Sequence, residues 1–135
     1  KSLSEVGGIT YTPEEQAFAQ KIYATLISPT DELGSQSKVQ SFDYERPGLG
    51  STDVGDVSWT VPTVGLRTAT WVPGTPAHSW QATAAGGMSI GIKGAVVAAK
   101  TLALTVAQLT VSPDLIAAAK AEADAVKAAK LPELK

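Results

Sequence analysis

Residues 65–72, Gly-Leu-Arg-Thr-Ala-Thr-Trp-Val, decide the fold class that the sequence predicts. β-Branched and aromatic residues are concentrated in this stretch and glycines and prolines flank it, which is the pattern of a β-strand. We interpret it as a strand covered on both faces. The following Pro73-Gly74-Thr75-Pro76 predicts a tight turn at its end. A shorter alternating stretch at residues 39–42 is the other strand candidate.

Three helices are predicted around this strand. Thr12-Pro13-Glu14-Glu15 combines an N-cap hydroxyl, a proline at the first helical position and a capping-box glutamate, and the helix should end at Ser28-Pro29. Residues 89–109 are apolar around the whole helical wheel, which indicates a largely buried helix packed closely on a sheet. Ser112-Pro113-Asp114 begins an alanine-rich surface helix that runs to about Lys130.

The order helix, loop, strand, buried helix and surface helix predicts an α/β layer. One or two strands cannot complete a sheet, because an isolated strand pair is at best marginally stable in water. We therefore expect the remaining strands to come from elsewhere.

Composition excludes several classes of function. The chain has 135 residues, no cysteine and a formal net charge of -2, so a disulfide framework, a thiolate metal site and a cysteine nucleophile are absent. The lack of a basic cluster disfavours a nucleic-acid partner. Lys93 and Lys100 interrupt the apolar stretch at residues 90–109, so we expect no membrane span and no membrane partner.

His78 is the single histidine, and it follows the predicted strand end in a loop rich in proline, glycine and serine. A lone histidine is more often a hydrogen-bonded structural residue than a ligand, but loops at sheet ends are where α/β proteins bind ligands. Residues 48–56 are rich in glycine but lack the strand, helix and lysine context of a nucleotide-binding loop. The three tryptophans could line a site for an aromatic group, although core positions are the commoner use.

Two segments of this chain resemble the metal-dependent amidohydrolases of the aminoacylase and carboxypeptidase family. They are Gly50-Ser51-Thr52-Asp53 with the following residues to Trp59, and Pro73-Gly74-Thr75-Pro76-Ala77-His78-Ser79-Trp80. The resemblance implies that His78 is a ligand of a two-metal centre of zinc or manganese. It also implies that Ser51, Thr52 and Asp53 lie beside the substrate. No catalytic residue is assigned within this segment.

The resemblance further implies a role for the chain as a whole. Residues 1–135 would be the C-terminal segment of one catalytic domain with a mixed, zinc-peptidase-like sheet, and residues 131–135 would be a frayed tail. The complete cytoplasmic, oligomeric enzyme would use metal-activated water to hydrolyse the amide bond of an N-acyl amino acid or an aminobenzoyl-glutamate-like substrate. The missing N-terminal portion and lid domain would be required partners, and the isolated chain would be inactive.

A non-catalytic interaction module with an enzyme-like shape is the alternative. The fragment hypothesis adds a physical expectation, because a chain cut from a larger domain should expose apolar surface. We expect that surface along residues 65–72 and 90–109.

Overall fold

The structure is a computed structural model that describes residues 1–42 and 52–130. The chain divides into two compact units. Unit 1 consists of residues 1–42 and 66–104, and the described part of unit 2 consists of residues 52–65 and 105–130. The predicted fraying of residues 131–135 lies outside the described residues.

Helices are the only regular elements among the described residues. In chain order they are α1 (Ser2–Val6), α2 (Pro13–Tyr23), a 3₁₀ turn (Ser35–Ser37), α3 (Val54–Thr60), α4 (Trp80–Gly86), α5 (Ser89–Thr110) and α6 (Pro113–Lys130).

The predicted α/β fold with a mixed sheet is therefore wrong. Residues 66–70 have no regular secondary structure, and neither do residues 39–41. A strand is maintained by ladder hydrogen bonds to a neighbour, and no second strand exists in the described parts of the chain. The backbone at Ala69 instead lies against α5, because a Cβ atom built on Gly94 would lie 2.5 Å from the Ala69 carbonyl oxygen.

The start of α2 confirms its sequence signature. Thr12 is the N-cap; its backbone N–H donates to Glu15 Oε2 at 2.8 Å, and the Glu15 N–H donates to Thr12 Oγ1 at 3.3 Å. The helix ends at Tyr23, before the expected Ser28-Pro29. The Lys93 ammonium of α5 also donates to Glu15 Oε2, which connects the two helices.

Hydrogen bonds to its carboxylate lower the pKa of Glu15. Lys93 has the largest effect, followed by Ser89 and the Thr12 backbone N–H, and together they shift the pKa from 4.5 to about 2. The ionised form of Glu15 is therefore the one that the fold stabilises.

Unit 1 has a small apolar core in which residues from α2, α4, α5 and the 66–72 segment meet. Its buried members are Ala19, Ile22, Val72, Ala85 and Ile90. Glycine makes the close approach of α4 and α5 possible, because a Cβ on Gly91 would overlap the Gly86 carbonyl oxygen.

The expectation that α5 is largely buried is wrong. Its buried residues are Ile90, Gly91, Gly94 and Thr101, all on one side of the helix. The opposite side exposes Ile92, Val96, Leu102 and Val106. The sheet that was expected to cover this side is absent from the described residues, so the predicted exposure of apolar surface is confirmed for α5.

By length and composition, α5 is long and apolar enough to cross a membrane. Lys93 and Lys100, on which the expectation of no membrane span was based, do not bring the helix below this limit of length and composition. Lys93 pairs with Glu15, and Ile90 packs in the core of unit 1.

Unit 2 has a different character. None of its described residues is buried, although α6 has 18 residues and begins at the expected proline. Helix α3 was not predicted, and it exposes Val54, Val57 and Trp59. These helices therefore bury no apolar core of their own.

Candidate functional site

An open cleft of about 430 Å³ lies in unit 1 at the start of α4. It is lined by Trp71, His78, Ser79, Trp80, Ala82 and Thr83. The cleft therefore contains the histidine that the sequence indicates, together with two aromatic rings.

A turn hydrogen bond and a glycine with a positive φ shape the loop that leads into the cleft. The Thr75 N–H donates to the Val72 carbonyl oxygen at 3.1 Å, which closes the predicted turn, and Gly74 adopts a positive φ of 76°. A Cβ on Gly74 would also lie 2.6 Å from Pro29 Cβ. Glycine is thus required here both for its backbone angle and for the close approach of the 25–31 loop.

Ser79 fixes the junction between this loop and α4. Its hydroxyl donates to the Pro76 carbonyl oxygen at 2.7 Å and accepts from the Ala82 N–H at 3.2 Å. The second bond is an N-cap, which determines where α4 begins. Because both bonds occupy the Ser79 hydroxyl, it is poorly placed to act as a nucleophile.

His78 has a strained backbone and an exposed side chain. Its φ is 57°, in the left-handed region that non-glycine residues rarely adopt, although histidine tolerates it better than most. Such a conformation costs about 1 kcal/mol or more. The fixed turn before His78 and the capped helix after it hold this conformation in place, at the edge of the cleft.

The cleft is attached to the rest of unit 1 through α4. The Gln81 side-chain amide donates to Thr25 Oγ1 at 3.3 Å, beyond the end of α2. Trp71 lies against the last turn of α4, because a Cβ on Gly86 would be 3.5 Å from Trp71 Nε1. These contacts hold α4 in place at one side of the cleft.

The other residues of the predicted site lie in a different part of the chain. Thr52 and Asp53 belong to unit 2 and are exposed. The Thr52 hydroxyl accepts from the Val54 N–H at 3.0 Å, and Asp53 precedes α3 without a side-chain cap bond. Ser51 lies outside the described residues. Of the predicted residues that the structure describes, only His78 lines the cleft.

The described residues do not by themselves form the expected metal centre. They contain no group of three histidine, cysteine, aspartate or glutamate side chains that could hold a metal ion. Zinc sites use three or four protein ligands, whereas the cleft offers the single imidazole of His78. A metal centre here would need ligands from outside the described residues.

The sequence did not identify the tryptophans as cleft residues. Core positions were the commoner expectation, but Trp71 is 36% exposed and Trp80 is 60% exposed. One signal was present: Ser79 three residues before Ala82 is an N-cap pattern that starts a helix at Trp80. At the beginning of a helix, Trp80 is held next to His78.

Comparison with known proteins gives a significant similarity. Over an alignment 140 positions long, gaps included, the chain is 33% identical to a subunit of the p-aminobenzoyl-glutamate hydrolase of Escherichia coli (strain K12). This similarity supports a relationship to an amidohydrolase. The alignment covers 86% of this chain, but the chain spans only 29% of the length of that relative. No family model matches the chain. No solved structure matches it.

Proposed function

We propose that this chain is part of an amide-hydrolysing enzyme and that the cleft at His78 contributes to its active site. The observation that carries the proposal is the similarity to a hydrolase subunit over 86% of the chain. The cleft agrees with it, because a strained, exposed histidine at the edge of a cavity is an arrangement that functional sites often use.

The substrate class follows from the name of the relative. The proposed substrate is an aminobenzoyl-glutamate-like amide or another N-acyl amino acid. Ser51, Thr52 and Asp53 are proposed to contact it, as hydroxyl and carboxylate groups that can form hydrogen bonds.

A metal-binding role for His78 belongs to the same proposal. His78 would supply one imidazole to a zinc or manganese ion, and the other ligands would come from outside the described residues. When bound, such an ion lowers the pKa of water and polarises a carbonyl. The contribution of this chain is to hold the imidazole at a fixed position, through the capped α4 on one side and the Gly74 turn on the other.

The proposal also assigns a partner to the exposed helix faces. The apolar side of α5 and the unburied helices of unit 2 would pack against the remainder of a longer protein. The relative is itself named as a subunit and is much longer than this chain. We propose that this larger protein is cytoplasmic and oligomeric, and that the isolated chain is inactive.

The test compares two substitutions in the full-length protein that contains this chain. His78→Ala removes the imidazole, and Ser28→Ala is its matched control, because Ser28 is the other described non-glycine residue with a positive φ (50°). Both variants place alanine in the same strained backbone region. His78→Asn is a second variant, because asparagine tolerates that region and cannot replace the imidazole.

The measurements are metal content by elemental analysis and hydrolysis of p-aminobenzoyl-glutamate by absorbance. We expect both His78 variants to lose bound metal and about 100-fold in rate, while Ser28→Ala retains both. Full metal and full rate in His78→Asn would reject the metal role. A wild-type protein that hydrolyses no N-acyl amino acid with zinc or manganese would reject the enzymatic proposal altogether.

One observation favours the alternative of a non-catalytic interaction module. The exposed apolar faces of α5 and α6 suit a protein interface, and their apolar side chains offer no catalytic groups. The same experiment separates the two functions, because an interaction module would give no hydrolysis in any variant.

A further inference from the structure

The cleft in unit 1 presents two indole rings that come from separate segments of the chain. Trp71 ends the 66–71 segment, and Trp80 is the first residue of α4. Trp80 is 60% exposed, and Trp71 is 36% exposed. Single exposed apolar residues are common, but two tryptophans lining one cavity form a patch typical of binding sites.

The Trp71 indole and the backbone of Trp80 are held in place before any ligand arrives. Trp71 lies against Gly86 of α4, and the next residue, Val72, is buried in the core. Trp80 follows the Ser79 N-cap, so its backbone belongs to the first turn of a fixed helix. A ligand that stacks on Trp71 therefore loses little affinity to ordering that ring.

The chemistry of the lining selects a flat aromatic ring. Indole faces bind aromatic rings by offset or edge-on stacking, an interaction that a saturated ring cannot make equally well. A volume of about 430 Å³ is in the range of small-molecule sites. The Ser79 and Thr83 hydroxyls donate their hydrogens to the Pro76 and Ser79 carbonyl oxygens, whereas the His78 imidazole lines the cleft as a polar group that a ligand substituent can contact.

We infer that the cleft between Trp71 and Trp80 is an aromatic-ring subsite. The ring binds at the two indoles, and its polar substituent is directed toward His78. This inference rests on the proposed function in one respect, because it assigns the aromatic part of an amide substrate to this cleft. The binding of a ring depends only on the geometry of unit 1.

The experiment uses the full-length protein and two matched probes, 4-aminobenzoate and 4-aminocyclohexanecarboxylate, which differ in aromaticity. Trp80→Leu removes the more exposed indole, Trp80→Phe keeps an aromatic ring, and Phe42→Leu is the control. Phe42 is 90% exposed and does not line the cleft. Binding is measured by calorimetry, and circular dichroism checks that each variant is folded.

We expect 4-aminobenzoate to bind about tenfold more tightly than the saturated probe. Trp80→Leu should weaken 4-aminobenzoate about 5-fold or more, Trp80→Phe should retain most of the affinity, and Phe42→Leu should have no effect. Equal affinities for the two probes, or equal behaviour of Trp80→Leu and Phe42→Leu, would overturn the inference.

A kinetic comparison separates this inference from the proposed function. Trp80→Leu should raise KM for p-aminobenzoyl-glutamate and leave KM for N-acetylglutamate unchanged. If wild type hydrolyses neither amide while Trp80→Leu still weakens 4-aminobenzoate, the enzymatic proposal fails and the aromatic subsite stands. If both amides are hydrolysed and Trp80→Leu changes their KM values equally, the aromatic subsite fails and the enzymatic proposal stands.

Discussion

Unit 1 buries several apolar side chains in a core, whereas the described part of unit 2 buries none, although both contain long helices. Ile90 in α5 is 1% exposed and belongs to a core that four segments share. Ile116 in α6 is 53% exposed, and no described residue of unit 2 is buried. Alanine is abundant in both helices, with five residues in α5 and eight in α6, whereas α6 has one valine and one isoleucine against three and two in α5.

The difference shows that a helix signal and a packing signal are separate properties of the sequence. A proline at the first position, an acidic residue in the first turn and a lysine in the last turn are present in α2 and α6 alike. In α5, burial is found on the side where glycine lets another backbone approach, at Gly91 and Gly94. We conclude that the described part of unit 2 has the signals to form helices but buries none of its side chains.

The largest expected effect comes from truncating the same residue type in the two units. Ile90→Ala should destabilise unit 1 by about 2–4 kcal/mol, because it removes a buried side chain and leaves a cavity. Ile116→Ala should change stability by less than about 1 kcal/mol. Urea unfolding of a Trp59→Phe background, in which Trp71 and Trp80 report on unit 1, measures the first effect. Similar values for the two variants would mean that unit 1 has no independent core.

A glycine pair tests the role of close backbone approach. Gly94→Ala should destabilise by about 1–3 kcal/mol, because the added Cβ would lie 2.5 Å from the Ala69 carbonyl oxygen. Gly55→Ala in α3 meets nothing within 4 Å and should stabilise its helix by about 0.5–1 kcal/mol. Thermal unfolding by circular dichroism compares them. Stabilisation by Gly94→Ala would show that α5 does not pack on the 66–72 segment as closely as described.

The Glu15–Lys93 pair predicts a pH dependence that belongs to unit 1. Because the folded-state pKa of Glu15 is about 2 and its ordinary value is 4.5, its contribution is fully present above about pH 5 and is lost as the pH falls toward 2. Glu15→Gln should lower the free energy of unfolding at neutral pH by about 1 kcal/mol. It should also reduce the change in that free energy between about pH 5 and pH 2. Urea unfolding at several pH values measures both quantities.

A double-mutant cycle completes this test. Lys93→Met removes the donor that has the largest effect on the pKa of Glu15. It should therefore also remove much of the pH dependence of the unfolding free energy. The two substitutions should be clearly non-additive, because their side chains are in direct contact. Additive effects with an unchanged pH dependence would show that the pair does not stabilise the fold.

Much of the helical structure could be predicted from the sequence. Helix α2 begins at the predicted residue. Helices α5 and α6 begin and end at the predicted residues or within one residue of them. The signals that predict these positions are local, because a cap or a proline acts within one turn. The strand predicted at residues 65–72 is wrong for the opposite reason. Strand propensity is realised only with a partner, and in the described residues α5 takes the place of that partner.

The candidate site could be predicted only in part. His78 is indicated by the sequence because it is the single histidine and follows a turn, and it does line the cleft. Trp71 and Trp80 fit the commoner core interpretation equally well in the sequence, because their exposure depends on where α4 begins. Thr52 and Asp53 are grouped with His78 through a family resemblance, and the structure describes them in another unit.

The smallest expected change in stability, but a clear change in association, comes from the outer face of α5. Ile92 and Leu102 are 61% and 56% exposed, so replacing both by glutamine should change the unfolding free energy of the 135-residue chain by less than about 0.5 kcal/mol. The isolated chain should nevertheless become more monodisperse, because it loses apolar surface that favours association. Analytical ultracentrifugation of both proteins over a concentration series measures this difference. If the proposed larger protein covers this face, the same double substitution should reduce the stability or activity of that protein. A variant that associates as strongly as the original chain would show that α5 is not the surface responsible, and attention would then move to the exposed side chains of unit 2.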